Sequence, residues 1–352
     1  MLLIDGHLDL AMNALLWNRD LTQSVYEIRR RETGMTQKGR AMGTVAFPEM
    51  RKGEVGVCLA TVIARIARKG NPRPGYNSPE IAYAMSQGQL AYYRILEEQG
   101  KIRIIKDWET LNAHAEEWLN EPRRSAPLGF ILSMEGADPI VNPKQVKSWW
   151  NDGFRVVSLS HYGVSTYAHG TGTKGGLTSL GRELLEEMHS IGMILDVTHL
   201  SEESFWEALD IFPGPVIASH NNCRALVPGD RQFSDEQIQA LIKRDAVIGV
   251  ALDAWMLYPG WVKGKTPNTV VDLQSVADQI DHICRLAGNR RHVAIGSDLD
   301  GGFGKEQCPH DLDTIVDLQK IPMLLEKRGY SEEDTRLIMH GNWLRLFRTA
   351  WS

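Results

Sequence analysis

Residues 2–9 read LLIDGHLD, an apolar run that ends in ionisable residues: Asp5, His7 and Asp9. Side chains two apart on an extended strand point the same way, so His7 and Asp9 can reach one point at the strand's C-terminal end. Taken alone, such a pair is more often a core histidine bonded to a nearby carboxylate. The pattern gains weight because it recurs. After Leu2–Asp9 come Val55–Ala64, Leu128–Glu135, Arg155–His161, Met193–His199, Pro215–His220, Ala246–Leu252 and His292–Asp298, each rich in Val, Ile, Leu and Ala. Strands buried on both faces, as in parallel sheets covered by helices, have this composition.

The intervening segments carry helix signals. Thr178–Ile191 puts Leu180, Leu184, Leu185, Met188 and Ile191 on one stripe, and Gly192 follows as a stop. Ser201 is placed as an N-cap, Ser234 to Gln237 form a capping box, Val271–Leu286 is a further helical stretch, and Ser331 opens the last helix towards Leu346. Eight strands alternating with helices predict an α/β fold, a closed (β/α)8 TIM-like barrel, in which every strand's C-terminal end faces one mouth. An open doubly wound sheet is the rival, and no GxGxxG follows the first strand to support it. Residues 17–50, 66–80 and 258–269 read as surface or active-site loops, so residues 1–352 are expected to form one catalytic domain.

Composition narrows the function classes. A net charge of −5 argues against a nucleic-acid surface. The short basic runs Arg29–Arg31 and Arg123 with Arg124 read as solvated faces. No stretch approaches the ~20 apolar residues of a membrane span, and MLLIDGHLDLAM lacks the features of a secretory leader. The four cysteines, Cys58, Cys223, Cys284 and Cys308, form no CxxC pair and suit reduced thiols. A cytoplasmic protein without nucleic-acid or membrane partners is the expectation.

Chemistry gathers at the strand ends. The third run closes in SMEG (133–136), the fourth in His161, the fifth in DVTH (196–199), the sixth in ASH (218–220) and the eighth in GSDLDGG (296–302). His7, Asp9, Glu135, His199 and His220 together make a ligand set for two divalent metals, and imidazole and carboxylate suit zinc. Two-metal sites hold their ions ~3.5–4 Å apart and need a shared ligand, which the two oxygens of a glutamate can supply. Asp298 could accept the proton of a metal-bound water, or it could cap a helix with Asp300 in a glycine-rich turn. His161, not needed for coordination, is free to donate to an oxyanion, or to sit in the core.

The order DGHxD, MEG, LSH, DVTH, SH and GSDxDG, closed by HGNWLRLF (340–347), resembles the membrane dipeptidase family of metallopeptidases, within the amidohydrolase superfamily, along the whole chain. The resemblance implies two zinc ions per chain. His7 and Asp9 would hold one, His199 and His220 the other, with Glu135 bridging. Asp298 would bind the hydroxide between the metals and shuttle its proton, and His161 would stabilise the tetrahedral intermediate. Arg231 stands where the family has an arginine for the substrate's terminal carboxylate, although Arg224 lies in the same interval. The implied substrates are small dipeptides, including those with a D-residue at the C-terminal position, and such enzymes also open some carbapenem rings.

The sequence departs from the family at Leu8, where a polar residue is usual, and at Trp255, near which family members often have a tyrosine. Asp253 adds a charge that could meet a substrate ammonium group. Two other functions stay open at this point: hydrolysis of another amide, such as an N-acyl amino acid or a cyclic amide, and a catalytically inactive ligand-binding homologue. Family members are often homodimers, and the ten tryptophans allow an interface as well as core and pocket walls.

Overall fold

The computed structural model describes residues 1–71, 73–120 and 126–351. Nine parallel strands form one sheet: β1 Leu3–Leu8, β2 Val55–Val62, β3 Ile102–Ile104, β4 Leu128–Met134, β5 Phe154–Ser158, β6 Ile194–Asp196, β7 Val216–Ala218, β8 Val247–Val250 and β9 Val293–Ile295. Its order is β1-β2-β4-β5-β6-β7-β8-β9. These eight are the strands expected from the apolar runs, and they make a nearly closed (β/α)8 barrel. The addition is β3. It pairs with residues 128–130 of β4, below the stretch of β4 (132–134) that pairs with β5. Its three residues, IRI, are too few for a periodicity to register.

Closure at the β1/β9 seam comes from the Asp5 carboxylate, which accepts from Ser297 N (2.8 Å) and Ser297 Oγ (2.5 Å), and from Asp298 N donating to His7 O at 3.3 Å. Inside the barrel, Ile4, Val57, Leu59, Ile131, Val156, Ile194, Ile217, Val247 and Ala294 form a separate apolar cluster with Trp343, Leu346 and Phe347. The closing HGNWLRLF motif is therefore the barrel's floor. Trp343 Nε1 donates to Ile295 O (3.0 Å), Asn342 Nδ2 to Val293 O (2.7 Å), and His340 Nδ1 bonds Leu2 O (2.9 Å). The final helix expected from Ser331 to Leu346 contains a π-helical turn at Leu337–Gly341, just where it turns these side chains under the barrel.

Ser201, Ser234 and Ser331 cap their helices as expected, Ser234 and Ser331 both in capping boxes, and Thr178 proves to cap the helix that follows it. Residues 17–50 are not simply a loop, because helix Val25–Arg31 lies within them and helix Phe47–Lys52 begins there. Arg30 and Arg31 face solvent and pair with Glu27, whereas Arg29 is half-buried and clips to Gly43 O (2.8 Å) and Asp313 (2.8 Å). Arg123 and Arg124 lie outside the described residues. All four cysteines are free and buried. Among the described residues, no helix is long and apolar enough to cross a membrane.

Candidate active site

The barrel mouth gathers the strand-end residues. Four histidine Nε2 atoms point at one oxygen, Glu135 Oε1: His199 at 3.2 Å, His161 and His220 at 3.5 Å, and His7 at 3.6 Å. His7 Nε2 also lies 3.7 Å from Asp9 Oδ1 and 3.9 Å from Asp298 Oδ1. Asp9, Glu135, His199 and His220 fall just after their strands, not within them as the apolar runs suggest. The backbone leaves the ladder there, with φ of 68° at His199 and 56° at Asp298. Left-handed conformations are costly for residues other than glycine and mark over-determined, often functional positions.

Two of these imidazoles, His220 and His199, are oriented from behind. His220 Nδ1 meets Ser219 Oγ at 2.9 Å, and Ser219 Oγ donates to Asp196 Oδ2 at 2.5 Å. His199 Nδ1 meets Thr171 Oγ1 at 3.1 Å. With Nδ1–H donating to a hydroxyl, each ring presents Nε2 as a lone pair, the state a metal ligand needs. Asp9 is held by the Thr61 hydroxyl. Glycines make room behind this layer: a Cβ on Gly296 or on Gly249 would collide with Ser219 O.

The electrostatics are those of a metal cradle. Burial holds His7 down at about 3, with Arg231 adding to the effect, and raises Asp9 to about 6. Burial, then neighbouring carboxylates, raises Glu135 and Asp298 well above the usual carboxylate range. His161, His199 and His220 are pushed well below the usual imidazole range by burial and nearby positive groups. His7 Nε2 is buried with no hydrogen-bond partner among the described residues. Ligand atoms of three sets lie within 4.8 Å of one another: His7, Asp9 and Glu135; Glu135, His199 and His220; His7, His220 and Asp298. Neutral imidazoles with free Nε2 atoms, packed against carboxylates, fit divalent cations.

The cavity above holds about 540 Å³. Arg231 lines it and is 3 % exposed, with its guanidinium on Asn221 Oδ1 and on His220 O (2.8 Å). Arg224 lies outside, paired with Glu202 at 2.9 Å, so only Arg231 of the two reaches the site. Trp255 and Asp253 line the same wall; Asp253 accepts from Gln307 Nε2 at 2.6 and 2.8 Å. Asp300 takes no part in the mouth. Its carboxylate binds Arg19 (3.2 Å) and the Thr44 amide and hydroxyl (2.8 and 2.7 Å).

Sequence reading missed several lining residues: Arg65, Arg73, Tyr162, Lys38 and Lys263. Arg65 could have been found, because it follows β2 as His161 follows β5. Tyr162 packs its ring on His161 and His199, with centroids 4.8 and 5.0 Å away.

The family description "Membrane dipeptidase (Peptidase family M19)" matches residues 1–351. Dipeptidase aclJ of Aspergillus oryzae is 28% identical over 352 residues, which covers 98% of this chain and 77% of that protein. A metallopeptidase from Rhodobacter sphaeroides, solved with a phosphinate mimic of the dipeptide L-Ala-D-Ala, superposes with a TM-score of 0.80 at 20% identity over 100% of this chain and 99% of its own. The probable dipeptidase PvdM from Pseudomonas aeruginosa gives a TM-score of 0.75 at 18% identity, over 95% of this chain and 99% of its own. The chain therefore belongs to the membrane dipeptidase family, peptidase family M19, and is a peptide-bond hydrolase.

Proposed function

We propose that the chain acts as one catalytic unit that holds two zinc ions and hydrolyses small dipeptides, including those with a D-residue at the C-terminal position. The observation that carries this reading is the convergence of four Nε2 atoms on Glu135 Oε1. His7 and Asp9 would hold one ion, His199 and His220 the other, and Glu135 would serve both. When bound, such ions lower the pKa of a water and polarise a carbonyl oxygen. Asp298, whose Oδ1 faces the ligand set 3.9 Å from His7 Nε2, acts as a carboxylate that takes the proton of the attacking water and passes it to the leaving amine. His161 stays neutral near pH 7 and donates a ring N–H to the carbonyl oxygen as charge develops on it. Arg231 pairs with the terminal carboxylate, for which a planar two-pronged donor is suited. Trp255 supplies an apolar wall. The phosphinate mimic of L-Ala-D-Ala bound by the Rhodobacter neighbour supports the choice of dipeptides and of a D-residue.

The test is elemental analysis of protein purified without chelator, with an assay of the same sample on L–L, L–D and D–D dipeptides. Two zinc ions per chain and cleavage of L–D or L–L members are expected. Two ions with no dipeptide cleaved would move the reaction to another amide, such as an N-acyl amino acid. No metal after zinc is added back would overturn the ligand set.

A further inference from the structure

The cavity walls carry more positive charge than a dipeptide with uncharged side chains uses. Lys38, Arg65, Arg73, Arg231 and Lys263 line it, and outside the hydrolytic set Asp253 is the only carboxylate among the described lining residues, with Glu306 nearby. Three of the five are accounted for. Arg65 lies in the field of Glu135, Asp9 and Asp138, although its Nε has no hydrogen-bond partner among the described residues; Arg73 lies over the Tyr162 ring at 5.0 Å; Arg231 is bonded to Asn221 and His220. Lys38 and Lys263 are not. Neither forms an ion pair with any of the described residues.

These two lysines come from separate loops, and their ammonium groups are neighbours. Lys38 Nζ stands 5.6 Å from the Phe303 ring centroid, and Trp17 and Trp261 line the same cavity. The carboxylates nearest Lys38 are Asp253 and Glu306. Asp253 is occupied by Gln307; Glu306 Oε1 accepts from Gly304 N at 3.1 Å, while Glu306 Oε2 has no hydrogen-bond partner among the described residues and forms no ion pair with Lys38. Burial first, then Lys263, lowers the Lys38 ammonium to about 7, so bringing the two together is unfavourable until an anion joins them. The base under Lys38 is rigid. Buried Arg19 donates to Gly39 O (2.7 Å) and to both Glu32 oxygens (2.8 and 2.9 Å), and Glu32 also binds Arg40 (2.8 Å) and Ala41 N (2.8 Å). A loop fixed in this way loses little entropy on binding a ligand.

We infer that Lys38 and Lys263 form a carboxylate subsite that selects dipeptides bearing an acidic side chain, whose methylenes rest on Phe303 and the tryptophans. This rests on the dipeptidase reading above for the identity of the substrate, but the subsite itself is testable by binding.

Two measurements on the metal-loaded protein separate the claims. The first compares kcat/KM for Glu-Ala with Gln-Ala and for Ala-Glu with Ala-Gln, in both stereochemical series. The second compares Kd, by calorimetry, for phosphinate dipeptide mimics with a glutamate-type or a glutamine-type side chain. The acidic member is expected to win by about tenfold or more, as a charged hydrogen-bonded partner should. That preference should shrink towards unity in Lys38→Met/Lys263→Met, survive in Lys38→Arg/Lys263→Arg, and fall with added salt. Equal Kd values for the two mimics in the natural protein, or a preference undiminished in the double methionine variant, would overturn the subsite. If the acidic mimic binds tighter through the lysines while no dipeptide is cleaved, the subsite stands and the proposed reaction falls.

Discussion

Ser297 donates both its backbone amide (2.8 Å) and its hydroxyl (2.5 Å) to the Asp5 carboxylate, and this pair joins the first and last strands of the barrel. Among the described residues no regular ladder pairs these two strands, so the Asp5 carboxylate, with Asp298 N on His7 O, takes its place. Asp5 also accepts from His7 N at 3.1 Å, which fixes the backbone of a ligand residue. Asp5→Ala leaves buried donors unsatisfied and is expected to cost about 2–4 kcal/mol. Ser297→Ala, which keeps the amide bond, should cost roughly half as much. Urea unfolding of the metal-free protein measures both. An unchanged midpoint for Asp5→Ala would mean that the seam is held elsewhere.

The Asp196–Ser219–His220 chain yields a prediction about metal and not about folding. Without the Ser219 hydroxyl, nothing holds His220 Nδ1 protonated and Nε2 free. Loss of such an orienting partner typically weakens metal affinity about 10–100-fold. Competition with a chromophoric chelator should show that loss for Ser219→Ala, with secondary structure unchanged by circular dichroism. Affinity equal to that of the natural protein would show that the ring needs no orienting.

Much of this site is legible in the sequence, because a parallel barrel imposes one rule: residues at the C-terminal end of each strand face the mouth. That rule reaches His7, Glu135, His161, His199, His220 and Asp298. It also applies to Arg65, at the end of a strand whose apolar run carries no histidine or carboxylate to draw the eye. Asp5 reads as part of the DGHxD motif, but its bond to Ser297 spans 292 residues and has no local signature. Lys38 and Lys263 lie in loops without periodicity, so nothing local brings them to the cavity. The helix at Val25–Arg31 was readable: Ser24 accepts from Glu27 N, the S-x-x-E start of a capping box, inside a stretch whose proline and charge suggest only a loop.

The floor of the barrel depends on one tryptophan. Trp343 is fully buried, its Nε1 donates to Ile295 O, and a Cβ on Gly6 would come 2.6 Å from its ring. Trp343→Ala removes a large side chain from a closed interior and should cost about 3–5 kcal/mol. The cavity lies beneath the ligand layer, so metal content should survive below the unfolding temperature. Calorimetry read together with metal content tests this, and a loss of under about 1 kcal/mol would show that the end of the barrel collapses around the gap.

Asp253 ties stability to pH with a sign that can be worked out. Burial raises its carboxyl to about 6 in the folded protein, against about 3.9 in an unfolded chain. The folded state therefore binds the proton more tightly. Its contribution is fully present below pH 4 and is lost as pH rises to about 6. Asp253→Asn does not titrate, so its stability relative to the natural protein should improve across that window by up to about 2 kcal/mol, whatever fixed offset the amide brings at Gln307. Urea midpoints of metal-free protein at pH 4, 5, 6 and 7 give the difference. A flat difference would place the carboxylate in a better solvated setting than its 5 % exposure implies.

Asp298 is the sharpest test of the proposed chemistry, because it stands at the edge of the ligand set. Its Oδ1 lies 3.9 Å from His7 Nε2, and its backbone is fixed at φ 56° with Asp298 N on His7 O at 3.3 Å. Asp298→Asn preserves shape and both backbone restraints but can neither take nor return a proton. His7, Asp9, Glu135, His199 and His220 are untouched, so metal content should remain that of the natural protein. Turnover of the best dipeptide should fall by about 10²–10⁴-fold, the usual weight of a positioned acid–base group, with KM changing far less than kcat. A fall in metal content together with activity would instead assign Asp298 to coordination. Full metal with near-normal kcat would remove it from the reaction and leave the proton to another group at the mouth.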